Sequence, residues 1–297
     1  MKTPQTIIAA PSPSFANCKG LLDWIGVVPF LLFALLFMIL PMMSLVIGAF
    51  QTPQGEFTLG NLGALFTPSI LSAFWVSIKI SLASSIIGAA AGFTIALAII
   101  RGGLPSWIRS STLTFSGVAS NFAGIPLAFA FLATLGRVGV VTFLLSTVGV
   151  NIYQSGFNLL SFSGLTLVYL YFQIPLMVLI IAPAIDGLKR EWGEAAASLG
   201  ASNAQYWRMV ALPVLWPSLL GTTILLFANS FGAVATATAL TGSSLNIVPI
   251  LLFAQIRGDV LHNQNLGYAL ALGMIVITGI SNVVYIIMRQ RAERWLK

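Results

Sequence analysis

Hydrophobic residues occur along the sequence in long unbroken runs, and short polar segments separate these runs. Six runs are long enough to cross a lipid bilayer, which takes about 20 helical residues. They cover residues 24–50, 72–100, 111–136, 161–185, 214–240 and 266–288. In lipid, the backbone N–H and C=O groups of a spanning segment have no water to bind, and a helix satisfies them internally. The pattern therefore predicts an all-α membrane protein with six transmembrane helices.

The first run, residues 24–50, contains no charged residue and follows a polar, proline-containing tail, residues 1–23. The apolar core of a cleaved signal peptide is about 7–15 residues long. Because this run is much longer, it is predicted to be a retained helix, preceded by a cytoplasmic tail and opening a membrane domain of residues 24–297. Residues 138–150 are also apolar, but they are too few for a span and predict a re-entrant or interfacial helix.

The composition indicates that lipid is the main solvent of the chain. Hydrophobic residues make up 58% of the 297 residues and charged residues only 7%, whereas an ordinary soluble domain has about 25% charged residues. The net charge of +7 does not indicate a nucleic-acid partner, because the basic residues form no polar face interleaved with aromatic residues. The single cysteine, Cys18, can form no disulfide within the chain.

Lysine and arginine residues of membrane proteins concentrate in cytoplasmic segments. With the N-terminus placed inside, eleven of the fourteen basic residues fall in cytoplasmic segments: Lys2, Lys19, Arg101, Arg109, Lys189, Arg190, Arg208, Arg289, Arg291, Arg294 and Lys297. Lys79, Arg137 and Arg257 remain for the outer side or the helix ends. This distribution predicts six spans with both termini in the cytoplasm.

Charge is concentrated in the predicted cytoplasmic segment of residues 186–213, which we call the charged loop. Residues 189–199 are good helix formers, and Gly200 follows at the position where helices commonly end in a left-handed turn. Ser202 and Gln205 have the spacing of a capping box at the start of a second helix. The charged loop is therefore predicted to be a rigid helix–turn–helix element.

The charged loop resembles the signature of type I ABC importer permeases. That signature is Glu-Ala-Ala, three residues, Gly, nine residues, a β-branched aliphatic residue, one residue and Leu-Pro. The matching residues here are Glu194, Ala195, Ala196, Gly200, Val210, Leu212 and Pro213. The family usually has isoleucine where this sequence has Val210, and all the spacings agree. A well-capped cytoplasmic hairpin without a partner is the alternative interpretation.

The resemblance implies a role for the charged loop in coupling to a separate ATPase. The helix around Glu194 would dock into a groove on that subunit, where Glu194 would meet a basic or polar group. Ala195 and Ala196 would permit close approach, and Gly200 would permit the turn. The implied assembly holds two ATPase subunits, a second permease subunit that is a copy of this chain or a different one, and an external solute-binding protein. It would lie in a bacterial inner membrane.

A second resemblance concerns the solute. The apolar first span that ends near Pro41, and the segment FANSFGAVATATAL of the fifth span, resemble permeases of spermidine/putrescine-type importers. This implies a polyamine. Related permeases carry ferric iron, phosphonates, thiamine, opines, and sulfate or molybdate, and these solutes stay open. A polycation would find no obvious anchor on this chain, because no acidic residue lies deep in a predicted span.

The sequence contains no G-x-x-x-x-G-K-[ST] phosphate loop. ATP and Mg²⁺ are therefore expected on the partner ATPase, and this chain is expected to be a transport subunit without enzymatic activity or a cofactor of its own. The single histidine, His262, and scattered acidic residues indicate no metal site. A secondary transporter or channel is the rival class, but it would need ionisable groups at mid-membrane, and Asp23 and Asp186 lie at predicted cytoplasmic ends.

Four polar residues inside predicted spans are candidates for the solute path. They are Tyr169, Tyr171 and Gln173 of the fourth span and Asn229 of the fifth. Aromatic rings could bind a cation through cation–π contacts, and the amides could form hydrogen bonds with a solute. Each residue could equally pack against, or hydrogen-bond with, a neighbouring helix.

Glycines and prolines inside the predicted spans indicate packing and kinks. Gly88 and Gly92 form a G-x-x-x-G pair in the second span, which is typical of closely packed helices. Pro126 and Pro175 interrupt the third and fourth spans and predict kinks there.

Overall fold

The computed structural model describes residues 27–242, 244–257 and 263–293. The predicted tail of residues 1–23, with Cys18, and also His262 lie outside the described residues. The described residues form the helices α1 (Val27–Ala49), α2 (Gly60–Ala64), α3 (Pro68–Arg101), α4 (Ser106–Asn121), α5 (Gly124–Leu135), α6 (Val140–Thr147), α7 (Phe162–Asp186), α8 (Arg190–Ser198), α9 (Asn203–Phe231), α10 (Val234–Thr241), α11 (Val248–Arg257) and α12 (Gln264–Glu293). Within these ranges the only β-type pairing is an isolated bridge between Gln51 and Phe57.

The chain divides into two units, residues 1–48 and 49–297. The described part of the first unit is helical and contains a π-helical turn at Leu35–Ile39, where the Leu40 N–H bonds to the Leu35 carbonyl. Pro41 follows one residue later. A proline in a regular α-helix clashes with the carbonyl four residues before it. The π turn is wider than an α turn and lies directly before the proline, where this clash would occur. Helices α2 to α12 belong to the second unit.

Six segments of the described chain are long and apolar enough to cross a membrane: Val27–Ala49, Pro68–Arg101, Gly124–Thr147, Phe162–Asp186, Asn203–Phe231 and Gln264–Arg291. The third of them combines α5 and α6 with the short connection between them. The predicted number of spans is therefore confirmed for the described residues. Residues 111–136 were predicted to form the third span as one continuous helix, and this prediction was wrong. The helix is broken at Phe122 and Ala123, between α4 and α5. The qualifying segment starts after this break because α4 is rich in serine and threonine.

The fifth predicted span also ends earlier than expected. Helix α9 stops at Phe231 and α10 begins at Val234, with Gly232 and Ala233 between them, so residues 214–240 are two helices. The apolar residues 138–150 hold the short helix α6. Its predicted re-entrant or interfacial placement stays a prediction.

Helix α7 lies at the centre of the second unit. It packs on α3, α4 and α9, and it is apolar all round, as expected for a helix surrounded by others. The two glycines of α3 face it. A Cβ added to Gly92 would lie 2.6 Å from Met177 Cβ, and one added to Gly88 would lie 3.0 Å from Gln173 Cβ. The predicted close packing at the G-x-x-x-G pair is confirmed.

The two prolines that predicted kinks have different positions. Pro126 lies in the first turn of α5, where a missing N–H costs little. It therefore marks a helix start that follows the break, and the prediction of a kink within a continuous helix was wrong. Pro175 lies inside α7, which runs without interruption from Phe162 to Asp186.

Basic residues gather at one end of the second unit, which we call the loop end. Helix α3 ends there beside the end of α7, since Arg101 contacts the Leu188 carbonyl. The last turns of α12 reach the same end, because Arg289 lines a cavity together with Pro183 of α7. Arg137 lies at the opposite end, in the connection between α5 and α6.

Candidate functional site

The charged loop forms a helix, a glycine turn and a second helix at the loop end. Helix α8 spans Arg190–Ser198, and α9 begins at Asn203. At the turn, Gly200 has a φ of 79°. The Gly200 N–H bonds to the Ala197 carbonyl and the Ala201 N–H to the Ala196 carbonyl, at 2.9 and 3.0 Å. This bond pair is the Schellman motif, and the left-handed glycine predicted at position 200 is confirmed.

The start of α9 carries the capping box that the sequence predicted. The Gln205 N–H donates to Ser202 Oγ at 3.3 Å, and the Ser202 N–H donates to Gln205 Oε1 at 2.7 Å. These two bonds satisfy donors that would otherwise be unpaired at the helix start. The angle between the turn and the second helix is thereby fixed by side chains of the loop itself.

The Leu-Pro end of the signature, Leu212 and Pro213, follows a second π-helical turn. Residues Trp207–Ala211 form this turn, and the Leu212 N–H bonds to the Trp207 carbonyl. Val210 lies within the turn, and Pro213 lies in the first regular turn after it. The arrangement is the same as at Pro41 of α1. The helix continues from the charged loop into the membrane segment without a flexible joint.

Apolar side chains seat the charged loop on the helix bundle. Leu188 and Ala211 are buried in a cluster with Ile185 of α7, and Trp192 and Trp207 pack against that cluster. Both ends of the loop and α8 therefore share one core with the membrane helices. A displacement of α8 would be transmitted to α7 and α9 because they are packed together.

Two arginines, one at the end of α3 and one in the first turns of α4, hold the base of the loop. Arg101 Nη2 donates to the carbonyls of Ile185 and Leu188 at 3.1 and 2.6 Å. These carbonyls end α7, where a positive charge also interacts favourably with the helix dipole. Arg109 Nη2 lies 2.6 Å from Asp186 Oδ2. From the sequence, both arginines had served only to predict which side of the membrane their segments face.

The outward surface of α8 carries the signature acid. Glu194 Oε1 accepts from Arg190 Nε at 3.0 Å, and the Glu194 side chain is 65% exposed. Ala195 is exposed, whereas Ala196 is partly buried towards the chain itself. The charged loop also exposes two large apolar side chains: Leu199 is 88% exposed and Met209 is 73% exposed. Neither was among the predicted site residues, although Leu199, an apolar residue beside a turn glycine in a polar loop, was a visible signal.

The four candidates for the solute path do not form one site. Tyr169 is buried, and its hydroxyl donates to the Ala233 carbonyl at 3.3 Å. Gln173 is fully buried and donates to Ser84 Oγ at 2.7 Å. Tyr171 packs edge-on against two phenylalanine rings. Asn229 lines an open cavity, whereas Tyr169 borders a small gap of about 10 Å³. Burial favours a packing role for Tyr169 and Gln173 within this chain.

The cavity at Asn229 lies where two broken spans cross. The Gly124 N–H at the start of α5 donates to Thr236 Oγ1 of α10 at 2.8 Å, so the break between α4 and α5 meets the break between α9 and α10. The cavity measures about 390 Å³ and is bounded by both breaks. Interrupted helices inside a membrane are tolerated where they are buried or line a cavity. The sequence signals were Pro126 and the small residues around Gly232, but hydropathy alone did not reveal the breaks.

No family model matches the chain, but curated relatives are similar over much of its length. It is 26% identical over 219 residues to the molybdenum transport system permease protein ModB of Mycobacterium tuberculosis, covering 72% of this chain and 78% of ModB. It is 25% identical over 231 residues to the sulfate transport system permease protein CysT of Salmonella typhimurium, covering 76% and 79%. A shorter match to the spermidine/putrescine transport system permease protein PotC of Haemophilus influenzae has 30% identity over 119 residues, covering 40% and 45%.

Solved structures of similar fold also belong to ABC transporters. A bacterial ABC transporter involved in the import of the acidic polysaccharide alginate matches with a TM-score of 0.70 and 16% identity, over 95% of this chain and 98% of that chain. The chain has the fold of an ABC importer permease. A bacterial alginate ABC transporter in complex with an alginate pentasaccharide-bound periplasmic protein matches with a TM-score of 0.68 and 17% identity, over 95% and 97%. The six apolar helices and these relatives make the chain a multi-pass membrane protein.

Proposed function

We propose that the chain is the transmembrane permease subunit of an ATP-driven, binding-protein-dependent importer. The observation that carries this proposal is the charged loop. It is a rigid pair of helices with an exposed acid, Glu194, and two exposed apolar side chains, Leu199 and Met209. A surface of this kind suits a protein partner. The agreement of the sequence signature with this geometry supports an ATPase as that partner.

We further propose that the loop end faces the cytoplasm, with both termini on that side, in a bacterial inner membrane. The gathering of basic residues at the loop end supports this orientation. The partners would be two ATPase subunits, a second permease subunit and an external solute-binding protein. The complex of the alginate transporter with a periplasmic protein supports the last of these. ATP and Mg²⁺ would bind the ATPase subunits.

In the mechanism we propose, closure of the ATPases on ATP moves the charged loops of the two permeases. Because α8 shares a core with α7 and α9, the loop would carry these helices with it. The two permeases would then rock from an inward-facing to an outward-facing arrangement, and the binding protein would release its solute into the path. Hydrolysis would reset the assembly. The cavity at the crossed breaks, with Asn229, is the part of the described chain that we assign to the path.

Two classes of transported solute have support among the relatives, a polyamine and an oxyanion. The match to PotC supports a polyamine, and the longer matches to ModB and CysT support an oxyanion. The sequence has no acidic residue between Glu56 and Asp186, so this part of the chain offers no carboxylate to a polyamine. The distribution of charge therefore favours the anionic class.

The test is reconstitution in liposomes of the chain with its second permease subunit, its ATPase and its binding protein. We expect solute uptake that requires ATP and every one of these components, and no ATPase activity in the isolated chain. The solute is identified by calorimetry of the binding protein against spermidine, putrescine, sulfate, molybdate, ferric iron, a phosphonate, an opine and thiamine. Uptake driven by an ion gradient without the ATPase would instead indicate a secondary transporter.

A further inference from the structure

A second polar cavity lies at the end of the unit opposite to the charged loop. It measures about 760 Å³ and is formed by the connection between α5 and α6, by α6 itself and by the connection between α6 and α7. Its polar lining comprises Arg137, Thr142, Ser146, Asn151, Tyr153, Gln154 and Asn158. We call it the Arg137 cavity. Nothing in the proposed coupling mechanism uses it.

The guanidinium group of Arg137 is held in place by an aromatic ring. Its Cζ atom lies 5.6 Å from the centre of the Tyr153 ring. That ring is itself fixed, because the Tyr153 hydroxyl donates to the Leu135 carbonyl at 2.8 Å and the ring packs edge-on against Phe157 at 5.9 Å. Among the described residues Arg137 has no ion pair within 4.0 Å. A positioned cation without a carboxylate therefore lies in the cavity wall.

Two of the three amide side chains around the cavity, Asn151 and Asn158, present donors rather than acceptors. Asn151 Oδ1 accepts from the Gln154 N–H at 3.3 Å, and Asn158 Oδ1 accepts from the Leu160 N–H at 3.0 Å. These bonds direct the carbonyl oxygen of each side chain to the backbone and leave its NH₂ group as the available polar group. The buried Thr142 hydroxyl in the same wall has no hydrogen-bond partner within the described chain.

The described lining of the cavity carries charge of one sign. Among the described residues, those that line the Arg137 cavity include no acidic one, and the sequence between Glu56 and Asp186 contains none. Arginine forms planar, two-bond contacts with carboxylates and oxyanions. We infer that the Arg137 cavity binds an anionic group of the solute, an oxyanion or a carboxylate, at the outer mouth of the transport path. This inference rests on the proposed function and narrows its solute class.

The experiment uses the assembled transporter, the chain with its ATPase and second permease, in lipid nanodiscs. Sodium sulfate, sodium molybdate, trigalacturonate and spermidine are titrated at constant ionic strength, because exposed charges are screened by salt. Binding is measured by calorimetry for wild type, Arg137→Gln and Arg291→Gln. The last variant is a control that removes an exposed arginine near the C-terminus of α12.

We expect at least one of the three anions to bind, with an affinity about tenfold weaker in Arg137→Gln and unchanged in Arg291→Gln. Which anion binds distinguishes an oxyanion from a carboxylate. Absence of anion binding to wild type, equal binding to Arg137→Gln, or preferential binding of spermidine at this cavity would overturn the inference. It would also be overturned if Arg137→Gln weakened capture of the binding protein and left anion binding unchanged, since the cavity would then receive an acidic side chain of that protein.

ATP hydrolysis is measured on the same nanodiscs after the loaded binding protein has been added. If this protein stimulates hydrolysis while the anion results contradict the inference, the proposed function stands and the assignment of the Arg137 cavity fails. If the assembled wild type shows neither stimulation in nanodiscs nor uptake in liposomes, the proposed function itself fails.

Discussion

Gly92 of α3 lies so close to Met177 of α7 that a Cβ at position 92 would come 2.6 Å from Met177 Cβ and 2.7 Å from the Ile174 carbonyl. Neither neighbour can move away easily, because one is backbone and Met177 is fully buried. Gly92→Ala should therefore force α3 and α7 apart. Overpacking of this kind typically costs about 1–3 kcal/mol. We expect a clear fall in the apparent melting temperature in detergent.

The control for Gly92→Ala is Gly117→Ala in α4, where an added Cβ would meet nothing within 4 Å. Alanine is favoured over glycine inside a helix by about 1 kcal/mol, so this variant should be as stable as wild type or more so. Equal melting temperatures for the two variants would show that the contact between α3 and α7 is looser than described here.

Gly200 tests the turn of the charged loop separately from its contacts. An added Cβ would meet no atom within 4 Å, but the φ of 79° is costly for a branched residue. Gly200→Val should strain the turn by about 1–2 kcal/mol and reduce ATP-dependent uptake. Gly200→Asn is the matched control, because asparagine tolerates the left-handed region. We expect it to retain most of the uptake, measured in proteoliposomes at equal protein amounts; equal losses in both variants would point to a direct contact at position 200.

Glu194 tests the docking contact. Its side chain is 65% exposed and pairs only with Arg190 in the described chain, and an exposed pair of this type contributes about 0.3–0.5 kcal/mol. Glu194→Lys should therefore leave the melting temperature nearly unchanged while it weakens ATPase co-purification and abolishes uptake. Glu191→Lys changes the charge of a neighbouring exposed residue outside the signature and should have a smaller effect. Wild-type uptake by Glu194→Lys would remove this residue from the coupling contact.

Arg101 and Arg109 allow a comparison at the base of the charged loop. Arg101 donates to two carbonyls at the end of α7, and hydrogen bonds to charged groups contribute about 1.5–3 kcal/mol. The Arg109–Asp186 pair is 41% exposed on both sides, and such pairs contribute about 0.2–1 kcal/mol. Arg101→Met should thus lower the melting temperature more than Arg109→Met. The reverse order would mean that the ion pair, rather than the carbonyl contacts, holds the loop.

Cysteine labelling in intact cells tests the orientation. After Cys18 is replaced by serine, single cysteines are placed at Ser155 and Ser198, both exposed in the structure. A membrane-impermeant maleimide should label Ser155→Cys from outside and should label Ser198→Cys only after permeabilisation. Labelling of position 198 in intact cells would invert the topology and rule out a cytoplasmic ATPase at the charged loop.

Much of the fold could be predicted because its signals are local. Apolar length defines most of the spans, and the geometry around Gly200 and Ser202 follows from short-range backbone chemistry. The break at Phe122 and Ala123 could not be located by hydropathy, since the change from the polar α4 to the apolar α5 is also compatible with one continuous helix. It is stabilised by a distant partner, the Thr236 hydroxyl. Long-range partners also explain why the buried positions of Tyr169 and Gln173 were not visible in the sequence.

The π turn at Trp207–Ala211 has a consequence for the length of the loop. A π turn contains one residue more than an α turn, and each α-helical residue turns the chain by about 100° and advances it by about 1.5 Å. Loss of one residue from the π turn would restore a regular α-helix and change the direction of α8 little, because the π turn already absorbs one extra residue. Loss of one residue from the regular turn before it, Asn203–Tyr206, would instead rotate α8 by about 100° around the axis of α9. Glu194, Leu199 and their neighbours would then point in another direction although every one of them was still present. The nine residues between Gly200 and Val210 thus set the direction in which α8 points as well as its distance from the membrane segment. A variant that lacks one residue of the regular turn should therefore fail in coupling even where it folds.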